Sequence, residues 1–395
     1  MQDEQVNKSE ATGFQHFLFK TLPYALLVFI FFMYAAPTSK LANIGFYLLV
    51  LLPMILVAPS LIKDKEYGRY IYPFIIIITT WLLLMAVGLD AEWGTFGKKV
   101  RHAFYVLVFI SAIYYALSSK LMSVNKIIAY MFWITVVYSI ISMMVYYGWY
   151  GRSLNARLIP VLRFDSPIFV ADLLSVYGVS LIYLMLQKNK YLQLFLVLVV
   201  ILFLQYFYNA RSALVALCFG LFVMLMMSRM QYKKTIFLII FLLLASYIVV
   251  SAYYGNLLHR GGSYRLDIWM SGIEKSLDCS LWFGCGLGGS RGITIADGHV
   301  FQHAHNVFIV HLINTGIVGL LSLLIPLAYI IIKGWKGKSA MVFGLLTGVV
   351  ALFFDGRELI TNPNSLWFIF WLPLACVCWQ VNKATLAQEA RSSKY

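Results

Sequence analysis

The chain has 395 residues, 61% hydrophobic and 12% charged, with mean hydropathy +0.80 and a formal net charge of +15. Soluble globular domains carry about 25% charged residues, so this composition excludes one, and repeated apolar runs of about 20 residues match the thickness of a bilayer. The expected surroundings are membrane lipids, and nothing in the composition calls for a nucleic-acid partner.

The first 20 residues are polar and lack the short apolar core and small-residue cleavage site of a signal peptide, so a retained tail is expected. Apolar windows then predict twelve spans, at about 21–36, 41–62, 71–89, 102–118, 126–148, 168–187, 191–208, 211–228, 235–253, 306–332, 340–355 and 365–382. A backbone in lipid must bond to itself, in a helix or a closed barrel, and runs this long select helix. Residues 1–395 therefore read as one all-α polytopic membrane domain, with a single large loop at 254–304.

Basic residues set the expected orientation. One set of alternate loops carries 15 Lys and 3 Arg, the other 4 Lys and 9 Arg. The larger total, in short loops, predicts the first side and both termini to be cytoplasmic and the large loop periplasmic. Nine arginines on the outer side run against that tendency. Guanidinium forks bind phosphate, so beyond pairing with the outer acids and lipid headgroups they point to a phosphate-bearing ligand at the membrane boundary.

In chain order, the loop at 149–167 places Arg152, Arg157 and Arg163 among apolar residues, a mixture suited to the headgroup region or to ligand contact. Asn209 is expected to cap the helix opening at Arg211, which puts a guanidinium at that helix's positive end. Two readings stand there: an anion completes the site, or Arg211 snorkels to the surface. Within the large loop, 264–277 reads as an amphipathic helix capped by Ser263, lying on the membrane and holding Arg265 at its first turn. The following WFGCGLGGSRG, which ends beside Arg291, lacks the lysine and hydroxyl residue of a P-loop and reads as turns. Cys279 and Cys285 lie in this loop and leave a bridge open, while Cys218, Cys376 and Cys378 fall in apolar runs.

Five of seven histidines, His259, His299, His303, His305 and His311, crowd into 254–319. A metal site is one reading of His299, His303 and His305, but their spacing is not that of a helical ligand pair, so none is expected. His311 reads as a packed intramembrane histidine. Gly316 and Gly319 read as small residues that let a neighbouring helix approach. In the last outer connection, Asp355-Gly356-Arg357-Glu358 mixes charges for ion pairing or acceptor contact.

Arg211 opening a helix as Arg-Ser-Ala-Leu, Arg265 followed by Trp269, and His305-Asn306 with nine residues before Gly316-Ile317-Val318-Gly319 together form a pattern that resembles the O-antigen ligase and polymerase superfamily. The resemblance implies a GT-C-like, metal-independent and cofactor-free glycosyltransferase of the bacterial inner membrane, with its active site facing the periplasm. It implies an undecaprenyl-diphosphate-linked glycan donor and, for a ligase, a lipid A-core acceptor. By the same resemblance His305 is the general base and Arg211 and Arg265 engage the diphosphate, with His303, Asn306, Arg157, Arg163 and Arg291 as supporting groups. A single displacement with no carboxylate nucleophile would invert the anomeric centre. Overall length and the absence of a large extra soluble domain favour ligase over polymerase. A transporter, the reading from another class, would carry ionisable residues deep in its spans, whereas here they crowd at one face.

Overall fold

The computed structural model describes residues 20–87, 93–162, 164, 166–227, 233–253, 264–289 and 291–392. The amino-terminal tail, Arg163, His259 and the expected cap at Ser263 lie outside these. The described chain is helical almost throughout: α1 (Lys20–Ala35), α2 (Ser39–Ile62), α3 (Lys65–Val87), α4 (Trp93–Ser118), α5 (Val124–Trp149), α6 (Pro167–Gln187), α7 (Tyr191–Tyr208), α8 (Arg211–Met227), α9 (Lys233–Tyr253), α10 (Arg265–Cys279), α11 (Val307–Lys336), α12 (Ala340–Phe354) and α13 (Leu372–Ser392). A short antiparallel hairpin pairs β1 (Ile293–Thr294) with β2 (Val300–Phe301). Among the described residues, α2 to α7 and α11 are long and apolar enough to cross a membrane, and α1, α8, α12 and part of α9 are shorter apolar helices. This is an all-α membrane protein.

The bundle has two chemically distinct ends. At one, Arg69 of α3 pairs with Glu389 of α13 at 2.6 Å, Tyr114 of α4 donates to Asp64 at 2.9 Å, and Trp379 of α13 donates to Ser118 at 3.3 Å. These contacts gather the lysine-rich connections. At the other end Lys99 of α4 pairs with Glu358, and the loop before α6 meets the end of α7 through Leu158 N–H donating to the Phe207 carbonyl at 2.8 Å. The second end carries His303 and His305 and is named the histidine end.

Helices α6 and α12 form the centre because glycine removes the side chains that would keep them apart. A Cβ on Gly344 of α12 would lie 2.7 Å from the Val176 carbonyl of α6, and one on Gly348 would lie 2.5 Å from the Ile369 carbonyl. Such close backbone approach is the usual substitute for a hydrophobic driving force between helices in lipid. It fixes α12, and with it Asp355, the C-cap that follows that helix.

The structure departs from the sequence reading at α11. Gly316 has φ +64 and ψ −169, which breaks the helix into 307–315 and 317–336. The second piece alone, about 30 Å of helix, suffices to span a bilayer. Its first N–H groups have no partner within the helix, and loop carbonyls supply them: Ile317 donates to Leu281 at 2.9 Å and Val318 to Trp282 at 3.2 Å. Cys285 N–H in turn donates to the Ile313 carbonyl at 2.6 Å. The loop is closed on itself by a Cys279–Cys285 disulfide. Gly316 is thus a seat for loop backbone, not a helix-packing residue, whereas a Cβ on Gly319 would lie 3.3 Å from the Leu84 side chain of α3, closer than ordinary contact, so Gly319 does let a neighbouring helix approach.

Helix α10 also differs from a helix with one apolar side. Ile268, Gly272 and Ser276 are buried against α11, while Leu266, Met270, Ile273 and Leu277 form a separate exposed stripe. Ile268 joins Ile293, Ile295, Ala304, Val310 and Ile313 in a small core of their own. The loop is therefore folded onto the first piece of α11.

A Cβ at position 316 would lie 2.3 Å from the Trp282 carbonyl, at a φ that side chains rarely adopt. Gly316→Ala should therefore destabilise the loop by on the order of 2–3 kcal/mol. Gly97→Ala, with open space around its Cβ, should be neutral or stabilising. Thermal unfolding in detergent and protease sensitivity of the loop check the contrast.

Candidate active site

His305 sits where the folded loop enters α11. Asn306 is the N-cap, its side-chain oxygen accepting from Phe308 N–H at 2.9 Å and Ile309 N–H at 3.1 Å. That assigns the buried Asn306 to helix capping. His305 itself has φ +49, a left-handed backbone that a non-glycine residue holds only when its surroundings compel it. Here Trp269 of α10 donates to the Ala304 carbonyl at 3.1 Å and packs against Phe353 of α12. The strained residue is held between α10 and α12.

Asp355, 50 residues further along the chain, completes the arrangement. Its Oδ1 lies 3.2 Å from His305 Nδ1 and also accepts from Gly356 N–H at 2.8 Å. Burial pushes the Asp355 carboxyl up, but the His305 hydrogen bond and charge, the Gly356 N–H and the Arg265 guanidinium outweigh it and leave the group below its ordinary value. An ionised carboxylate can only accept, so Nδ1 carries a proton and, in the neutral ring, the lone pair is on Nε2. The His305 side chain is 35% exposed, enough for that lone pair to meet a substrate. The contact with Asp355 fixes the tautomer of a neutral His305.

His303 stacks on His305, ring centroids 4.1 Å apart. Burial first, then the charges of His305 and Arg357, lower its pKa to about 4. His303, His305 and Asp355 offer ligand atoms within 4.8 Å of one another, a group that could hold a metal ion. Two of the three already bond each other, and the charges of Arg265 and Arg357 reach the same group. A divalent cation would have to overcome both.

The other residues singled out in the sequence are dispersed. Arg265 opens α10, half-buried, and its charge reaches Asp355. Arg211 is the exposed first residue of α8. Asn209 does not cap α8 but closes α7 in a left-handed conformation, its side-chain oxygen buried without a partner. Arg157 donates through Nε to the Tyr208 carbonyl at 2.8 Å, tying its loop to the end of α7. Arg291 is exposed, held through its carbonyl by Lys275 at 2.7 Å. His299 lies in the hairpin turn beside Asp297, and His311 is buried, donating to the Gly319 carbonyl at 3.1 Å with its ring 4.5 Å from that of Trp81.

No protein-family model matches the chain. A stretch of 125 residues is 27% identical to the O-antigen ligase of Pseudomonas aeruginosa. That stretch covers 29% of this chain and 30% of that protein. The likeness is to part of that protein, and the alignment leaves most of both chains unmatched.

Two outcomes test the site. Asp355→Asn keeps the shape but frees the His305 tautomer, and should lower turnover by on the order of 100-fold or more with little change in thermal stability. His303 is neutral in the folded protein down to about pH 4, whereas in the unfolded chain it takes a proton below its ordinary 6.5. Between those values the unfolded state binds more protons, so stability falls as pH falls. His303→Gln should therefore lose less melting temperature than wild type between pH 7 and pH 5.

Proposed function

We propose that the protein is a metal-independent, inverting glycosyltransferase that moves a glycan from undecaprenyl diphosphate to the lipid A-core oligosaccharide, the reaction of an O-antigen ligase. The observation that carries this is the His305–Asp355 pair: a base of fixed tautomer, at the histidine end of the bundle, with the Arg265 charge beside it. The partial likeness to an O-antigen ligase supports the same reading. A sugar hydroxyl is a poor nucleophile, and His305 Nε2 removes its proton as the oxygen attacks the anomeric carbon. The C–O bond to the diphosphate breaks on the opposite face, which inverts that centre. Negative charge grows on the leaving diphosphate, and Arg211 and Arg265 stabilise it as fixed guanidiniums.

In this reading the apolar helices of the bundle cross the inner membrane twelve times, with both termini cytoplasmic and the histidine end in the periplasm. The lysine-rich connections gathered at the opposite end support that orientation. So does the Cys279–Cys285 bridge, since such bonds persist in oxidising compartments.

Purified protein given lipid-linked glycan and lipid A-core in excess chelator should retain full transfer, with inverted product. Loss of activity restored by a divalent metal would make His303, His305 and Asp355 a metal site instead. In the same assay Arg211→Lys should lose about 10- to 100-fold, because a point charge cannot replace a planar fork on two phosphate oxygens. Near-normal transfer by that variant would favour the snorkelling account.

A further inference from the structure

Between α3, α11 and α13, toward the end of the bundle opposite the histidines, lies a groove of about 390 Å³. Each helix gives it one stripe at helical spacing: Phe74 and Ile78 of α3, Leu323 and Leu327 of α11, and Leu374 and Cys378 of α13. Pro73 and Tyr329, which also line it, are exposed, whereas Phe370 and Trp371 are buried. The groove therefore has a floor and opens at the side of the bundle, where a membrane protein meets lipid.

Its two ends differ. At one, the charged lining residues Arg69 of α3 and Glu389 of α13 pair at 2.6 Å, with Asn382 and Thr385 lining the wall before Glu389. At the other stands Trp81, buried, its indole N–H donating to Ser322 of α11 at 2.8 Å. Arg69 and Trp81 are twelve residues apart on one helix, about 18 Å at 1.5 Å per residue, close to the roughly 15 Å depth of one leaflet's hydrocarbon layer. A polar mouth and one leaflet's depth of apolar wall are the dimensions of a single lipid. The mouth also selects a headgroup, because it offers one cation and one anion side by side, 54% and 53% exposed. Pairs this exposed are weak, so a zwitterion can insert between them at little cost. Its phosphate meets the Arg69 fork, and a primary ammonium, with N–H groups to donate, meets the Glu389 carboxylate. An anionic headgroup satisfies only Arg69, and a quaternary ammonium has no N–H for Glu389.

We propose that this groove is a binding site for one phosphatidylethanolamine molecule from the leaflet opposite the histidine end, its headgroup on Arg69 and Glu389 and one acyl chain running in to Trp81. The site is separate from the proposed chemistry, since a lipid whose phosphates met Arg265 would lie at the other end of the bundle. The bound chain fills space that α3, α11 and α13 leave between them. Its far tip meets the ring of Trp81, which lies 4.5 Å from that of His311 in the first piece of α11. The lipid thus supports the helix that His305 precedes without touching the site itself.

The experiment strips full-length protein of lipid in detergent and titrates it with phosphatidylethanolamine, phosphatidylglycerol or phosphatidylcholine of identical acyl chains. Bound lipid is counted by native mass spectrometry, and melting temperature is followed in parallel. One phosphatidylethanolamine should bind saturably, about tenfold more tightly than either other lipid, and raise the melting temperature. Glu389→Gln, which leaves Arg69 without its anion, should lose that preference over phosphatidylglycerol or reverse it. Arg69→Gln should weaken phosphatidylethanolamine by about tenfold. Ile77→Trp, which puts a larger ring into the groove, should remove the saturable site with the headgroup residues intact; if that variant does not fold, the two exposed substitutions decide the matter. Tighter binding of phosphatidylglycerol or phosphatidylcholine by wild type, the lack of any saturable site, or an unchanged preference in Glu389→Gln overturns the proposal. Capture of undecaprenyl phosphate ahead of phosphatidylethanolamine also overturns it, since the groove would then hold a prenyl chain.

Discussion

A helix that begins at the surface of a bilayer must find partners for its first backbone N–H groups where water is scarce, and at Gly316 this chain solves the problem with its own loop. Ile317 and Val318 donate to Leu281 and Trp282, so the membrane-length part of α11 is capped by a segment that the Cys279–Cys285 bridge holds closed. Much follows from that seat. The bridged turn continues directly from α10, α10 carries Trp269 onto the Ala304 carbonyl, and the next residue is the strained His305. Close glycine contacts between α6 and α12 set the opposite wall, which ends at Asp355. The His305–Asp355 pair lies where a folded loop and a packed bundle meet, each positioned for reasons of backbone bonding and packing.

Charge then divides the labour. Buried carboxylates are costly in a low-dielectric setting unless something compensates them. Asp355 is compensated by His305, the Gly356 N–H and the field of Arg265. That arrangement keeps Asp355 ionised and an acceptor, as the proposed base His305 requires. Two arginine charges reach the same group, Arg265 at Asp355 and Arg357 at His303. In the proposed reaction the leaving diphosphate would meet the Arg265 charge.

Much of this was legible in the sequence. Apolar runs located the helices because the bilayer imposes one length on all of them, and the break at 254–304 marked the polar chemistry. His305 stood out by its position at a helix start, and the observed capping by Asn306 fits that placement. Asp355 did not stand out, because it is 50 residues distant and reaches His305 only through the packing of α12 against its neighbours. The metal-site argument missed it for the same reason: spacing along one segment cannot register a ligand from another. Gly316 was read as a packing residue because a lone glycine in an apolar run carries no mark of its φ. Asn209 was read as a cap for the following helix, but the tight two-residue join made it the left-handed end of the preceding one. The apolar residues of α10 were assigned to one face, and only the docking of Gly272 on Ile309 and Ile313 divides them into two.

The central claim is that His305 is a base and not merely a residue at a helix entrance. Transfer of glycan to lipid A-core by wild type, His305→Ala and His305→Asn at equal membrane expression tests it most directly. Asparagine tolerates the left-handed backbone and keeps a polar side chain beside Asp355, but it cannot accept the proton. Both variants should lose on the order of 100- to 10,000-fold in rate with donor binding largely kept. A fully active asparagine variant would contradict the account and remove His305 from the chemistry.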